Sequence, residues 1–360
     1  MMKYHTRFLL IVGFLFTGTS LCFAQKNTAN PPKEWIAPQK NGIWLQPAQC
    51  ANAQPLWGFC DGIRIGIAPL DGPRGLIRIY TPYLGHDSLE VMNFIAFEPV
   101  PQKGSRGFSE LEWSKANNVQ GKRLVSLNNI PDNEQKTPDF PACGVISEEH
   151  GRQVLTVFFS CETFDNGADV YVRIRFSENR PYEFELTAYA SQQSVPLDYF
   201  ILTATMGNKA RLRTLHLTGG KEKHAGDLWP EYRDIHFTPH DFTPSSEMLT
   251  DEHGGAWFIA SPDETDPSKA VYADGTFEGW KYKGKKATQY WYVPQPKAGM
   301  RGVVNGRYTY WASQSPIPGG VAYENFEINE PFYQGQRFIF GIYPGTANEF
   351  IQSVKPGNTK

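Results

Sequence analysis

Apolar and polar residues alternate with a period of two along most of this chain, the spacing of a strand with one buried face. In "VYVRIRF" (170–176), Val170, Val172, Ile174 and Phe176 share one face, and Tyr171, Arg173 and Arg175 share the other. "YEFELTAY" (182–189) repeats the pattern, with Phe184, Leu186 and Ala188 inward and Glu183, Glu185 and Thr187 outward. The turn-rich "SENRP" between them predicts an antiparallel hairpin whose outer face pairs Arg173 and Arg175 with Glu183 and Glu185. Further strands are expected over 62–69, 75–82, 93–100, 154–164, 197–206, 210–217, 255–261, 288–294, 305–313, 319–332 and 337–344. Helical patterns are few. Thr346 and Glu349 form a capping box before "EFIQSV", and "SELEWSKA" reads as one short helical turn.

Strands without helices between them predict an all-β fold, a large antiparallel β-sandwich with few short helices. The expected organisation is one domain over 37–360, with two β domains split near 137–143 as the alternative. Residues 25–36 are polar and proline-bearing and read as a mobile tail. Residues 219–254 carry the weakest pattern and are expected to run as a long excursion over the sheet.

Composition adds the compartment. Lys3 and Arg7 precede the apolar "FLLIVGFLF" (8–16), and Cys22 and Ala24 supply small residues, so residues 1–24 read as an export signal cleaved after Ala24. A lipid anchor on Cys22 is the competing reading. A periplasmic or secreted protein is expected. No other apolar run is long enough for a membrane helix. The formal net charge is −2 with both signs interspersed, which excludes the basic face of a nucleic-acid binder. Export permits disulfides, and sequence order suggests Cys50–Cys60 and Cys143–Cys161 among three possible pairings.

A large exported chain with this series of strands resembles bacterial polysaccharide-utilisation proteins. In length and rhythm it is similar to the galactose-mutarotase-like supersandwich. The resemblance implies a carbohydrate substrate and leaves the reaction open.

Candidate chemistry follows from residues that break the pattern. In "GGVAYENFEINEPF" (319–332), Glu324 falls in the row of Ala322, Phe326 and Ile328, where a carboxylate is costly unless paired or protonated. Asp61 shares a row with Phe59, Ile63 and Ile65 unless Gly62 breaks the strand, and Glu98 follows Phe94 and Ala96. A carboxyl among apolar groups has a raised pKa and suits a proton donor, and a glycosidase sets such an acid beside a second carboxylate. Glu324 with Asp61 or Glu98 is therefore the expected catalytic pair. A β-bulge would re-aim Glu324, which gives Glu327 a smaller claim. Arg64, Arg78 and Arg337 are candidates to neutralise a buried carboxylate instead.

Phe, Trp and Tyr make up 14% of the chain. Trp311 and Arg307 share a strand face in "RYTYWAS", and with Tyr290 and Trp291 they are the expected sugar platform. Asn208 and Arg211, with His216 and Tyr290, would instead serve β-elimination on a uronate, and a non-catalytic glycan-binding module needs only the aromatics. Sugar epimerisation would pair His216 with a carboxylate. Asp234, His236, His240 and Asp241 have the chemistry of metal ligands, but Pro239 breaks any helix that would align the histidines. No metal or cofactor is expected.

Overall fold

A computed structural model describes residues 35–354 apart from 50–51, 68–73, 85–90, 117, 133–137, 207–210, 264–265, 277–280, 283, 285–286 and 311–313. Six strands open the first sheet: β1 (Gln39–Asn41), β2 (Trp44–Gln46), β3 (Leu56–Phe59), β4 (Arg64–Gly66), β5 (Leu76–Tyr80) and β6 (Val91–Pro101). A small hairpin, β7 (Trp113–Ser114) and β8 (Val119–Gln120), leads to the second sheet. That sheet begins with β9 (Leu124–Leu127), β10 (Val145–Glu149), β11 (Arg152–Cys161), β12 (Val170–Ser177) and β13 (Glu183–Ala190). The chain then alternates between the two. β14 (Leu197–Met206) joins the first sheet, and β15 (Leu212–His216) and β16 (Glu222–His224) join the second, followed by the short helix α1 (Ala225–Leu228). β17 (Asp241–Pro244) returns to the first, while β18 (Leu249–Thr250), β19 (Ala256–Pro262) and β20 (Thr288–Val293) extend the second. β21 (Arg301–Arg307) and β22 (Ala322–Pro331) complete the first sheet, β23 (Gln336–Tyr343) completes the second, and helix α2 (Ala347–Val354) follows.

The first sheet runs β1-β2-β3-β4-β5-β6-β14-β22-β21-β17, with every pairing antiparallel. The second runs β10-β11-β12-β13-β23-β20-β19-β15-β16, with β9 beside β11 and β18 beside β19. The apolar rows predicted from alternation meet between the two. Phe258 of β19 stacks on Phe326 of β22 with ring centroids 4.6 Å apart, and Trp57 of β3 meets Phe159 of β11 edge-on at 5.2 Å. Gly302 makes room for this contact, because a Cβ there would lie 2.6 Å from the Phe258 ring.

The β12–β13 hairpin forms in the expected register, with Arg175 opposite Glu185 and Ile174 opposite Leu186. Arg173 and Arg175 both reach Glu185, at 3.4 and 3.8 Å. Glu183 departs from the expected pairing and takes Arg180 at 3.1 Å. The capping box opens α2 as read: the Glu349 amide donates to Thr346 Oγ1 (3.2 Å), and the Thr346 amide donates to Glu349 Oε2 (2.7 Å). "SELEWSKA" forms a turn entering β7 rather than a helix, because Glu162 accepts the Lys115 and Ala116 amides and draws them outward. The strand expected over 305–313 lies earlier, at Arg301–Arg307.

Neither nearest-neighbour disulfide forms. Cys60 and Cys161 carry free, buried thiols. Cys60 turns into a small cluster with Leu45, Leu56 and Tyr80, its Sγ 3.4 Å from the Trp44 carbonyl. Cys161 points into the core between the sheets, where burial pushes its thiol pKa well up. Cys50 lies outside the described residues.

Phe258 joins the sheets through a fully buried ring. Phe258→Ala is expected to lower unfolding free energy by about 3–5 kcal/mol, read as a drop in the urea midpoint at unchanged m-value.

Candidate functional site

β22 does not keep a strict alternation. Asn305 of β21 pairs with Asn325, but the next residue, Gly306, pairs with Tyr323, leaving Glu324 as an extra residue in a bulge. One inserted residue reverses the faces on either side of it. Tyr323, Phe326 and Ile328 therefore all enter the core, while Glu324 leaves the apolar row and joins Asn325 and Glu327 on the opposite, polar face of the sheet. This corrects the expectation that Glu324 lies in the interior-facing row.

The register fixes what else shares that face. Thr203 of β14 lies opposite Glu327 and Thr205 opposite Asn325, while Glu98 of β6 lies opposite Ile201. Asn305 and Arg307 come from β21, and Arg78 from β5. Glu98 and Glu327 are each 2% exposed. Both bind one guanidinium: Arg106 Nη2 contacts Glu98 Oε2 directly and lies 3.1 Å from Glu327 Oε2. The same Nη2 donates to Thr203 Oγ1 at 3.1 Å, and the Thr203 hydroxyl donates to Glu98 at 2.9 Å. The two carboxylates therefore lie close together on either side of one shared counterion.

Arg106 comes from the segment between β6 and β7, which folds back along its own strand. The Gly107 amide donates to the Pro99 carbonyl (2.9 Å) and the Ser109 amide to the Phe97 carbonyl (3.1 Å). Ser109 Oγ donates to the Gly75 carbonyl at 2.5 Å. Gly75 has φ +69°, and a Cβ there would lie 1.7 Å from the Ser109 oxygen, so only glycine permits the approach. The segment also delivers Glu110 to the same face. Glu110 has a raised pKa, set by burial, opposed by Arg106 and reinforced by Glu327.

Glu324 is half-buried, and its carboxyl pKa is raised to about 7. Burial is the main cause; Arg307 opposes it and the Glu110 carboxylate adds to it. Arg307 is buried, donates from Nε to the Thr309 carbonyl at 3.3 Å and lies over the Phe237 ring at 5.1 Å. Arg301 lies over Phe242 at 4.8 Å. Phe237 and Phe242 stay 39% and 50% exposed at this edge of the sheet.

Glu324, Glu98 and Arg307 are therefore brought onto one face, and the other sequence candidates are not. Asp61 is exposed in the β3–β4 turn, where Gly62 breaks the strand, on the far side of the sheet beyond β4, β5, β6 and β14. Tyr290 and Trp291 belong to the second sheet. Tyr290 is buried under α2, stacked on Phe350 at 4.3 Å and hydrogen-bonded to Glu183. Trp291 lies between the sheets and donates to the Phe326 carbonyl at 2.9 Å, so it offers a ligand no free surface. Arg211 is buried over the Tyr282 ring at 5.0 Å, next to Tyr310. Trp311 and Asn208 lie outside the described residues. Sequence reasoning missed Arg106 and Glu110, which carry no periodic signal.

Among the described residues, no group of three or more His, Cys, Asp and Glu is placed to hold a metal ion. His240 Nε2 lies 3.3 Å from Asn305 Nδ2, and Asp241 takes Lys223 at 2.8 Å. No described helix is long and apolar enough to cross a membrane. A cavity of about 760 Å³ lies on the outer face of the second sheet. Within its wall Arg337 pairs with Glu185, and the Tyr292 hydroxyl donates to Asp251. Comparison with family models, curated proteins and solved structures finds no match for the chain.

Two outcomes test this arrangement. Arg106→Met leaves two buried carboxylates without their counterion and is expected to cost roughly 3 kcal/mol at neutral pH. The deficit narrows in acid as the carboxylates protonate, read by denaturant unfolding at both pH values. Glu324 binds its proton more tightly when folded, so its contribution is full below pH 4.5 and lost as pH rises through about 7. Wild type should therefore lose stability relative to Glu324→Gln across that window.

Proposed function

We propose that the protein hydrolyses glycosidic bonds of an oligosaccharide or polysaccharide, with Glu324 as proton donor and Glu110 as the second carboxylate. The observation that carries this reading is a half-open carboxyl with a pKa near 7 electrostatically coupled to a second half-open carboxyl. A glycosidase needs one carboxyl protonated and its partner ionised at working pH. The Glu110 charge raises the proton affinity of Glu324, so the two divide those roles. Glu324 gives its proton to the departing glycosidic oxygen. Glu110 acts on water or on the anomeric carbon.

Glu98 and Glu327 form the floor beneath this pair and are too buried to touch a sugar, while Arg106, which binds both, stays 25% exposed. Phe237 and Phe242 supply exposed apolar surface for the C–H face of a sugar ring, next to the donors of Arg301 and Arg307. The strand series resembles the galactose-mutarotase-like supersandwich, and that resemblance implies a carbohydrate ligand. The charged head and apolar stretch before Ala24 make export part of the proposal. β-Elimination is less well supported, because Tyr290, its candidate base, is sealed under α2. A glycan-binding module would have no use for the coupled carboxyls.

The test is turnover on a panel of oligosaccharides, read by reducing-end release. Glu324→Gln and Glu110→Gln are each expected to lower kcat by about 10²–10⁴-fold while calorimetry shows retained binding. The wild-type kcat/KM should fall as pH rises through about 7, a limb absent from Glu324→Gln. Wild-type turnover in either variant would sink the assignment.

A further inference from the structure

The second sheet holds a separate line of three side chains at its β16 edge. His216 lies directly across from Glu222, and Ser261 lies across from Thr214, two residues from His216 on the same face. His216 Nδ1 is 3.0 Å from Glu222 Oε1, and His216 Nε2 is 2.7 Å from Ser261 Oγ. A carboxylate only accepts, so Nδ1 carries the ring proton. Nε2 of the neutral ring is then the acceptor, and the Ser261 hydroxyl donates to it. Burial lowers the pKa of His216 against the opposing pull of Glu222, which favours that neutral ring.

We propose that Ser261, His216 and Glu222 form a nucleophile, base and orienting acid that take the acyl group from small carboxylic esters. The geometry is that of an activated serine: nucleophile and base in hydrogen-bond contact, and the base aligned by a third group. The strand is also irregular here. Leu212 pairs with Pro262 but Thr214 pairs with Ser261, so Arg213 is an extra residue opposite the serine. Arg213 anchors the bulge by donating to the Val321 carbonyl and Asp263, each at 3.0 Å. Thr214 lies directly across from Ser261, with Cβ atoms about 4.5–5.5 Å apart by strand geometry. Glu222 is exposed, while Ser261 is 8% exposed, which restricts the acyl group to a small one such as acetyl.

The reaction balances without a cofactor. Ser261 Oγ bonds to the ester carbonyl carbon as its proton passes to His216 Nε2. The ester C–O bond then breaks, and the leaving alkoxide takes that proton. Water, deprotonated by Nε2, attacks the acyl-serine, and the carboxylic acid departs as Ser261 recovers its proton.

The full-length chain is treated with an alkyl fluorophosphonate, and adducts are read by intact mass and peptide mapping; 4-nitrophenyl acetate hydrolysis is followed in parallel. One adduct on Ser261 is expected, absent from Ser261→Ala. His216→Gln should slow labelling on the order of 10²-fold. Glu222→Gln, at an exposed position that leaves the fold undisturbed, should slow it about tenfold. Glu324→Gln should label at the wild-type rate, which separates this site from the glycosidase proposal. No adduct on Ser261 in folded wild type, or an unchanged rate in His216→Gln, overturns the inference.

Discussion

A carboxylate cannot sit between two packed sheets without a partner, and one extra residue in β22 is how this strand avoids that cost. Strict alternation would drive Glu324 against the second sheet beside Phe326. The bulge opposite Asn305 and Gly306 moves it to the polar face and still lets Tyr323 reach the core, where its hydroxyl donates to the Lys223 carbonyl at 2.9 Å. The placement of Glu324 in the candidate site depends on this shift. It sets Glu324 beside Arg307 and within electrostatic reach of Glu110. It also leaves Glu327 in register with Thr203, next to Glu98 and Arg106.

The inner and outer halves of the sheet face differ in kind. Glu98 and Glu327 share the single Arg106 guanidinium as counterion, and Glu98 also accepts from Thr203. Glu324 and Glu110 are less buried than Glu98 and Glu327, and desolvation outweighs the opposing pull of Arg307 on the one and Arg106 on the other. Paired groups of the first kind favour rigidity, while incompletely compensated groups of the second kind have pKa values moved toward neutrality, which is where acid–base chemistry is done.

The sandwich was legible in the sequence because alternation is a local property. β12, β13, β14 and β23 read correctly from spacing alone, as did the capping box of α2. Glu324 and Glu98 stood out because they interrupted apolar rows. A bulge was conceivable because Glu324 breaks the apolar row of "AYENFEI", but its place opposite Asn305 and Gly306 is set by the partner strand and is not carried by spacing within β22. Arg106 and Glu110 were hidden for a different reason: they are positioned by a contact between Ser109 and Gly75, residues far apart in sequence. Strand propensity cannot tell the two sides of a sheet apart, so it did not show that Tyr290 and Trp291 are covered. Tyr290 and Trp291 face opposite sides of β20, and both are covered. Cysteine order likewise says nothing about which way a thiol points, and Cys60 and Cys161 point inward.

The order in which the strands are used bears on how the molecule is made. β22 is inserted between β14 and β21, and β23 between β13 and β20, so these late strands occupy interior positions in their sheets rather than the margins. A nascent chain emerging from the ribosome can build flanks on both layers but cannot zip either one shut until these segments appear. Loss of the C-terminal portion would remove the keystone of each layer and leave two separated half-sheets with unsatisfied inner edges. Assembly is therefore obliged to be late and all at once.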